Sequence, residues 1–418
     1  MTREKVKKPW YLQLHGQVGI ALLSGFLVGV GARLLAPYGF PTEAFGEGVG
    51  VVGDIFLRLL KMIIIPLIFT SLVCGVASLG DARSVGRVGL RTVLFYTLST
   101  TLAIMVGLTL VNVFTPGKYL DIGSASSLPE GLSSTSQSLP QFLLHMVPDN
   151  IIKAMAAGDV LPVIFFAILF GLFLVRLNGP NVETVHRVME GALEVIQALT
   201  LAIVKLAPIG IFALLAREVV RSGPELIMRL MPYFATVGGA LLIHAFVTLP
   251  LILVFLARRN PLEYFRAVLP ALATAFSTAS SSATLPLSME CAEKEADIPR
   301  GISSFVLPLG ATVNMDGTAL YEAVAALTIA QMYGVPLDLS QQALVLLTAL
   351  LASVGAAGIP MAGLVMMVVV LEAVGLPIEG IATIIAVDRV LDMMRTSTNV
   401  WSDLVGTAVI TRFEGRTP

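Results

Sequence analysis

Long apolar runs separated by short polar segments recur along nearly the whole chain and limit its fold more than any other feature. A helix that crosses a bilayer needs about 20 mostly apolar residues. Charged residues make up 13% of the chain, against about 25% in ordinary soluble domains, which argues against a soluble protein with an oversized core. We therefore predict an all-α membrane protein with conventional spans at residues 17–36, 52–78, 92–113, 160–177, 194–215 and 233–257.

Basic residues predict the orientation of these spans, because cytoplasmic loops carry an excess of Lys and Arg. The N-terminal segment is basic, and so are the links that follow the second and sixth spans. The stretch 115–150 is instead rich in Ser, Pro and Gly, and we expect an external loop there. We predict a multi-pass protein of the cell membrane with both termini in the cytoplasm. The basic residues concerned are Arg3, Lys5, Lys7, Lys8, Arg83, Arg87, Arg91, Arg258, Arg259 and Arg266.

Charge and histidine usage argue against two other classes of protein. The chain has 27 basic and 28 acidic residues, so it lacks the basic surplus with which a nucleic-acid-binding protein neutralises phosphates. Its histidines are scattered, which argues against a metal cluster. Cys74 and Cys291 have no metal-type spacing and are expected to be small core residues. We expect neither a nucleic-acid partner nor a resident cofactor.

After residue 258 the apolar segments are interrupted by short polar or glycine-rich patches. Irregular backbone at membrane depth is tolerated only where protein or a cavity surrounds it, because lipid cannot satisfy its N–H and C=O groups. A single patch of this kind is explained more simply as a surface on which helices pack. Two interrupted hairpins that flank a broken helix instead indicate a transport site built from an inverted repeat. The patches lie at residues 275–288, 307–323 and 352–363.

The last apolar segment, residues 380–412, carries a stripe of polar side chains. At about 100° per residue, its members fall within an arc of about 80° on one side of a helix. Each buried charge costs at least about 2.5 kcal/mol by insertion scales, so we expect the stripe to face a cavity or polar partners. The competing interpretation is a salt-bridge ladder in which Arg395 only neutralises carboxylates, and it leaves Asp316 and Glu322 without an obvious partner. The stripe consists of Asp388, Asp392, Arg395, Asn399 and Asp403, with Trp401 on the opposite side.

The residue types in this stripe indicate the solute. An arginine fork pairs bidentately with a carboxylate, so Arg395 suits an acidic solute. Asp392 would bind a cation such as an α-ammonium group. The remaining carboxylates and the carbonyls of broken helices are hard oxygen ligands, which unwound transporter backbone offers to sodium. The combination predicts an acidic amino acid that moves together with sodium ions.

These segments closely resemble the dicarboxylate/amino acid:cation symporters, the family of the archaeal aspartate transporters and the mammalian excitatory amino acid transporters. The likeness covers almost the full length and is most specific in four motifs that occur in the right order. They are SSSATLP at 280–286, NMDGT at 314–318, GAAGIP at 355–360 and the charged pattern from Asp388 to Asp403.

The resemblance implies eight transmembrane helices plus two re-entrant helical hairpins, inverted repeats, a homotrimer and an elevator mechanism. Residues 1–87 would form scaffold helices 1 and 2, and residues 88–115 would form helix 3 of the transport domain. The external loop and scaffold helices 4 and 5 would occupy residues 116–222. Residues 223–418 would complete the transport domain with helix 6, hairpin 1, helix 7, hairpin 2 and helix 8.

The resemblance also implies a substrate site. Arg395 and Thr318 would bind the side-chain carboxylate of the substrate, and Asp392 would bind its amino group. The main-chain carboxylate would contact the backbone near the serine run together with residues of the last helix, and the second hairpin would close over it. The implied residues are Ser280, Ser281, Ser282, Thr318, Ile359, Gly363, Asp392, Arg395, Thr396 and Asn399.

Three sodium sites follow from the same resemblance. The first would use Asp403 with carbonyls of Gly310, Asn314 and Asn399. The second would use main-chain carbonyls, and the third would use Asp316 and Asn314 with residues of helix 3. The further ligands are Thr312, Ser353, Val354 and Ala356 for the second site, and Tyr96, Ser99 and Thr100 for the third.

Two departures from the family pattern are informative. Family members usually carry one further arginine near the substrate, at a position that is Ala279 or Met393 here. Glu322 stands where archaeal relatives carry glutamine and where the mammalian carriers have a glutamate proposed to carry a proton. A buried carboxyl group can exchange a proton near neutral pH, so we hypothesise proton co-transport through Glu322. The alternative is a permanently protonated Glu322 that is hydrogen-bonded in the packing.

The same residues argue against three other functions. A C4 dicarboxylate carrier with proton coupling would keep the fold, but a solute without an amino group has no use for Asp392. An intramembrane aspartyl protease normally draws its carboxylates from facing elements, whereas Asp388 and Asp392 lie one turn apart on one helix. A passive ion channel would not need the guanidinium of Arg395.

Overall fold

The computed structural model describes residues 14–80, 86–120, 144, 147–157, 160–177, 179–355 and 361–415. In these residues the chain forms helices and no strand, which confirms the predicted all-α class. The α-helices are α1 (Leu14–Leu35), α2 (Thr42–Gly80), α3 (Gly86–Phe114), α4 (Ile151–Ala157), α5 (Val160–Arg176), α6 (Pro180–Val204), α7 (Ala207–Ser222), α8 (Leu226–Ile243), α9 (Leu249–Ile252), α10 (Pro261–Thr278), α11 (Ser281–Lys294), α12 (Arg300–Val313), α13 (Asp316–Met332), α14 (Leu339–Gly355), α15 (Ala362–Ala373) and α16 (Gly380–Phe413).

Glycines let the helices of the first half approach closely. Helix α7 packs against α1 and α2, and α2 also contacts α5 and α6. A Cβ on Gly29 would lie 2.7 Å from Cβ of Val219, and a Cβ on Gly53 would lie 2.6 Å from a methyl carbon of Leu214. Small residues at such contacts are typical of membrane helices, which gain stability from close packing rather than from the hydrophobic effect.

In the described residues of the second half, two pairs of helices pack against one another and one helical segment is broken. Helices α10 and α11 contact one another and turn through Ala279, which has a φ of 50°, and Ser280. Helices α14 and α15 also contact one another. Helix α12 ends at Val313 and α13 begins at Asp316, so the predicted interruption of this segment is present. Helix α16 contacts α10, α11, α12 and α13, which places its polar stripe among all of these elements.

Three helices of the described residues are long and apolar enough to cross a membrane: Gln17–Tyr38, Val88–Phe114 and Met228–Ala257. They coincide with the predicted spans 17–36, 92–113 and 233–257. The predicted span 194–215 is not one straight helix, because α6 and α7 meet at a bend of 48°. Pro208 in the first turn of α7 favours a new helix start there, since it cannot donate the hydrogen bond that a continuous helix requires. Counted as one span, this bent pair raises the number to four.

The span Met228–Ala257 is not a uniform α-helix. Residues His244–Thr248 and Leu253–Ala257 form π-helical turns on either side of the short helix α9. A π turn inserts one extra residue per turn and changes the direction of the side chains that follow. The first of these turns begins at His244, which is buried against the broken helix.

Candidate functional site

The break between α12 and α13 is tied to α16 by one amide side chain. Asn399 Oδ1 accepts a hydrogen bond of 2.7 Å from the backbone N–H of Gly317, and its Nδ2 donates to Thr318 Oγ1 at 3.1 Å. A Cβ on Gly317 would lie 2.7 Å from the carbonyl oxygen of Arg395, so only glycine permits this approach. The first turn of α13 is therefore held directly against the middle of the polar stripe.

Arg395 is the centre of the stripe and is only 1% exposed. Its Nη1 donates to Asp388 Oδ1 at 2.9 Å, and its Nη2 donates to Asp392 Oδ1 at 2.7 Å. The guanidinium carbon lies 3.9 Å from the ring centroid of Tyr321, which is cation–π geometry. The salt-bridge ladder considered above is thus present, and it places a buried, oriented guanidinium beside the break in the helix.

The start of α15 lies against the side chains of Asp392 and Arg395. The backbone N–H of Met361 donates to Asp392 Oδ2 at 3.2 Å. A Cβ on Gly363 would lie 3.0 Å from the guanidinium carbon of Arg395, so glycine at this position allows the backbone to approach the cation closely. Gly363, one of the predicted substrate-site residues, is therefore next to Arg395. Ile359, which was predicted to contribute to the substrate site, and Ala356, which was predicted for the second sodium site, lie outside the described residues.

The serine run of the first hairpin caps α11. Ser280 is the N-cap, and its Oγ accepts a hydrogen bond of 3.2 Å from the N–H of Ala283. Ser281 is buried and Ser282 is exposed. Thr396 donates its hydroxyl hydrogen to the carbonyl of Asp392 at 2.8 Å, within its own helix. The positive end of the α11 helix dipole is thus formed by the predicted serines, and α11 contacts α16.

Asp316 lies in a cluster of oxygen atoms with helix α3. Its Oδ1 accepts hydrogen bonds from Thr100 Oγ1 at 2.6 Å and from Ser99 Oγ at 3.2 Å, and the carboxylate is 0% exposed. Asn314 Oδ1 lies 3.5 Å from both of these hydroxyl oxygens. The sequence-based grouping of these four residues corresponds to a single cluster in space, and its atoms are hard oxygen ligands.

Asp403 forms a second cluster on the other side of Asn314. Its Oδ1 accepts a hydrogen bond of 2.9 Å from Asn314 Nδ2. A Cβ on Gly310 would collide with Asp403 Oδ1 and would lie 2.6 Å from the hydroxyl oxygen of Tyr96. Tyr96 was grouped with Asp316 from the sequence, yet its hydroxyl reaches the Gly310 side and donates to the carbonyl of Val306 at 2.8 Å.

The residues predicted for the remaining sodium site lie at helix ends. Thr312 is in the last turn of α12, and Ser353 and Val354 are in the last turn of α14, a helix that contacts α12. The last carbonyls of a helix have no partner within it, which makes them available as ligands. The two hydroxyls are used locally, because Thr312 donates to Leu309 at 2.9 Å and Ser353 donates to Leu350 at 2.8 Å.

Sequence reasoning missed His244 and Ser402. The Nε2 of His244 lies 3.0 Å from Asp316 Oδ2, and both side chains are 0% exposed. Ser402 Oγ accepts a hydrogen bond of 3.0 Å from Asn314 Nδ2 and lies 3.4 Å from Ser99 Oγ, so it joins the two oxygen clusters. A lone histidine inside an apolar span was the available signal for His244, since a polar ring there requires a buried partner.

Glu322 differs from the other buried acids. It is 0% exposed, and within the described part of the chain neither of its carboxyl oxygens has a hydrogen-bond partner. Neither Asp316 nor Asp403 is within ion-pair distance of a lysine or arginine among the described residues. The described residues also contain no group of three His, Cys, Asp or Glu side chains that could bind a metal ion.

Comparison with known proteins gives a consistent result. The chain matches the model of the sodium:dicarboxylate symporter family over residues 14–413. It is 38% identical to the proton/glutamate-aspartate symporter of Escherichia coli (strain K12), with 87% of this chain and 84% of the relative covered. It is 36% identical to the proton/sodium-glutamate symport protein of Bacillus caldotenax, with 96% and 95% covered. Against the human excitatory amino acid transporter 3 the identity is also 36%, with 86% and 78% covered.

Proposed function

This chain belongs to the sodium:dicarboxylate symporter family, and from that premise we propose that it is a secondary active symporter for L-glutamate or L-aspartate, driven by sodium ions. The observation that carries the proposal is the buried pairing of Arg395 with Asp388 and Asp392 beside a broken helix. The names of the relatives above, which are symporters of glutamate and aspartate, support the same solute class.

Substrate binding is an exchange of ion pairs at this site. When an acidic amino acid enters, its side-chain carboxylate pairs with the guanidinium of Arg395, and its ammonium group displaces the two arginines that bind Asp392. Asp388 retains its bond to Arg395 Nη1 and keeps the guanidinium in position. The side-chain carboxylate and the ammonium group of the substrate are then paired, while its main-chain carboxylate adds one negative charge that polar groups and co-transported cations must offset.

Sodium ions complete the two oxygen clusters. Asp316 and Asp403 are buried carboxylates whose neighbours are hydroxyl, amide and carbonyl groups together with His244. Bringing a substrate with net negative charge next to them is unfavourable unless cations bind as well. Sodium and substrate therefore stabilise each other's binding, which is the energetic basis of symport. Glu322 is the candidate carrier of a co-transported proton.

The transport mechanism we propose is an elevator. Residues 1–87 and 116–222 form a fixed scaffold in this proposal, and residues 88–115 and 223–418 form the moving transport domain. The full protein would have eight transmembrane helices, two re-entrant hairpins and both termini in the cytoplasm. Support comes from the packing of α1, α2, α5, α6 and α7 on one another and of α16 on α10 to α13.

We also propose a homotrimer in the cell membrane. Four valines and leucines of α6 are exposed in the single chain and recur at helical spacing along one face. A self-complementary apolar face of this kind suits either lipid or a second copy of the chain, and the family resemblance favours the latter. The residues are Val185, Val188, Val195 and Leu199.

A C4 dicarboxylate remains the second candidate cargo, because a specific contact favours it. Arg389 Nη1 lies 3.1 Å from Asp392 Oδ2 and supplies a cation to the carboxylate that would otherwise require an ammonium group. A solute without an amino group could then bind without leaving Asp392 unpaired.

Uptake by purified protein in liposomes tests the proposal. Labelled L-aspartate is offered while inward sodium, inward proton and outward potassium gradients are imposed one at a time. We expect accumulation against the aspartate gradient when sodium is the driving ion, and loss of that accumulation in Arg395→Ala. Arg217→Gln removes an arginine from an ion pair with Asp54, away from the site, and should retain uptake. No accumulation of any acidic solute under any gradient would refute the proposal.

A further inference from the structure

Arg389 is a second buried cation at the substrate site. It lies on α16 three residues before Asp392, its side chain is 7% exposed, and its Nη1 is 3.1 Å from Asp392 Oδ2. Arg395 binds the other oxygen, Oδ1, at 2.7 Å. The carboxylate that would receive the substrate ammonium therefore carries one guanidinium on each of its oxygens.

The two arginines are held very differently. Arg395 has two carboxylates and the ring of Tyr321 as partners. Arg389 has Asp392 as its one ion-pair partner among the described residues, and its Nε is buried there without a hydrogen-bond partner. At about 100° per residue, Arg389 projects about 60° away from Asp392 around the helix, outside the arc of the polar stripe. It can therefore release Asp392 by breaking one ion pair, while Arg395 remains anchored to Asp388.

The balance of charge in the site indicates the role of Arg389. The buried cluster of Asp388, Asp392, Arg389 and Arg395 has equal numbers of acids and bases. Once Arg395 turns to a substrate carboxylate, Asp392 needs another cation, because an unpaired buried carboxylate is strongly destabilising. An amino acid supplies its own ammonium group, whereas a plain dicarboxylate does not. When the solute has no ammonium group, Arg389 is the cation that already contacts Asp392.

We propose that Arg389 is a specificity-determining positioning residue that competes with the substrate ammonium group for Asp392. This inference rests on the proposed function, since it assumes that Asp392 faces the bound solute. With an amino acid in the site, the ammonium group displaces Arg389 from Oδ2. With a dicarboxylate that lacks an amino group, Arg389 stays on Asp392, so this carboxylate is not left unpaired. The chain thus binds dicarboxylates such as succinate better than a site without this arginine, and it binds amino acids less tightly.

The dissociation constants of L-aspartate and succinate, measured by calorimetry on the full chain in lipid nanodiscs at fixed sodium concentration and pH, test this inference. In Arg389→Gln we expect tighter aspartate binding and weaker succinate binding, so that the preference for aspartate rises roughly tenfold or more. Arg389→Lys keeps a cation and should restore most of the wild-type ratio. Arg217→Gln, the matched control, should leave the ratio unchanged.

Opposite changes in the affinities for aspartate and succinate would distinguish competition from a structural role, because a damaged site would bind both solutes more weakly. If Arg389→Gln does not yield folded protein, Arg389→Met serves in its place, since it retains the apolar stem of the side chain. A ratio that is unchanged, or two affinities that fall together, would overturn the inference while wild-type aspartate binding still supports the proposed function. Wild-type protein that binds neither solute would contradict both.

Discussion

In the proposed mechanism, Asp403 and Asp316 make the site dependent on cations. Each is buried, each is surrounded by neutral donors and acceptors, and His244 beside Asp316 is their one basic neighbour among the described residues. Removing the charge of Asp403 removes an electrostatic reason for a cation to bind. We expect Asp403→Asn to raise the sodium concentration needed for half-maximal aspartate uptake about tenfold or more. Glu290→Gln, an exposed acid paired with Lys294, is the control. An unchanged sodium dependence in Asp403→Asn would contradict this role.

Gly310 is required because Asp403 lies against its Cα. A Cβ at this position would collide with Asp403 Oδ1 and would lie 2.6 Å from the Tyr96 hydroxyl. Gly310→Ala should therefore displace the carboxylate and weaken sodium-dependent uptake, measured as the rate at saturating aspartate and varied sodium. Gly239→Ala is the matched control, because a Cβ there would meet nothing within 4 Å. Equal behaviour of the two variants would show that Asp403 can move without loss of function.

A substitution at Glu322 tests whether aspartate uptake is coupled to protons. Its carboxyl group is buried beside the site, and its oxygens have no hydrogen-bond partner in the described residues, so its protonated and charged forms differ strongly in solvation. We expect Glu322→Gln to retain sodium-driven aspartate uptake but to lose the additional stimulation by an inward proton gradient. The measurement is initial uptake in liposomes with and without that gradient. An undiminished response to the proton gradient would assign Glu322 to packing alone.

At the scale of helices, apolar runs predicted the three described helices that are long and apolar enough to cross a membrane, but they did not predict the bend between α6 and α7. The interruptions near Asn314 and Ser280 were found because serine, glycine and asparagine are conspicuous inside apolar segments. The π-helical turns at His244–Thr248 and Leu253–Ala257 left no such sign, because a π turn is built from ordinary apolar residues. The approach of His244 to Asp316 depends on that local geometry and could not be derived from spacing along the chain.

Trp401 stabilises one of these π-helical turns. Its indole Nε1 donates to the carbonyl of Ala245 at 2.9 Å, and its ring meets that of Phe265 edge-on at 5.5 Å. The Trp401→Phe variant keeps an aromatic ring but removes the donor. We expect it to lower the free energy of unfolding by about 1 kcal/mol and to lower the melting temperature in detergent. An unchanged melting temperature would mean that water or another donor replaces the indole.

At the scale of the whole molecule, the predicted assembly rests on the apolar surface of the chain. The charges on α16 predicted a buried polar site, whereas the number of copies depends on surfaces that the apolar pattern does not distinguish from lipid-facing ones. Val195 on α6 is 66% exposed in one chain. We expect the solubilised protein to have about three times the 44.3 kDa mass of one chain by light scattering.

A bulky substitution tests which surface forms that trimer. Val195→Trp should reduce the trimer fraction, whereas Met105→Trp, at an exposed position of α3, should not. A wild-type protein that is monomeric under mild solubilisation would contradict the trimer, and equal loss in both variants would exclude α6 as the contact surface.

If solute and cations together neutralise the buried charges, the affinity for L-aspartate depends on the sodium concentration. Measuring this dependence is the most direct test. Calorimetry on the purified chain should show a dissociation constant that falls steeply as sodium rises, with no measurable aspartate binding in Arg395→Ala at any sodium concentration. An aspartate affinity that is independent of sodium, or one that survives the loss of the Arg395 guanidinium, would contradict it.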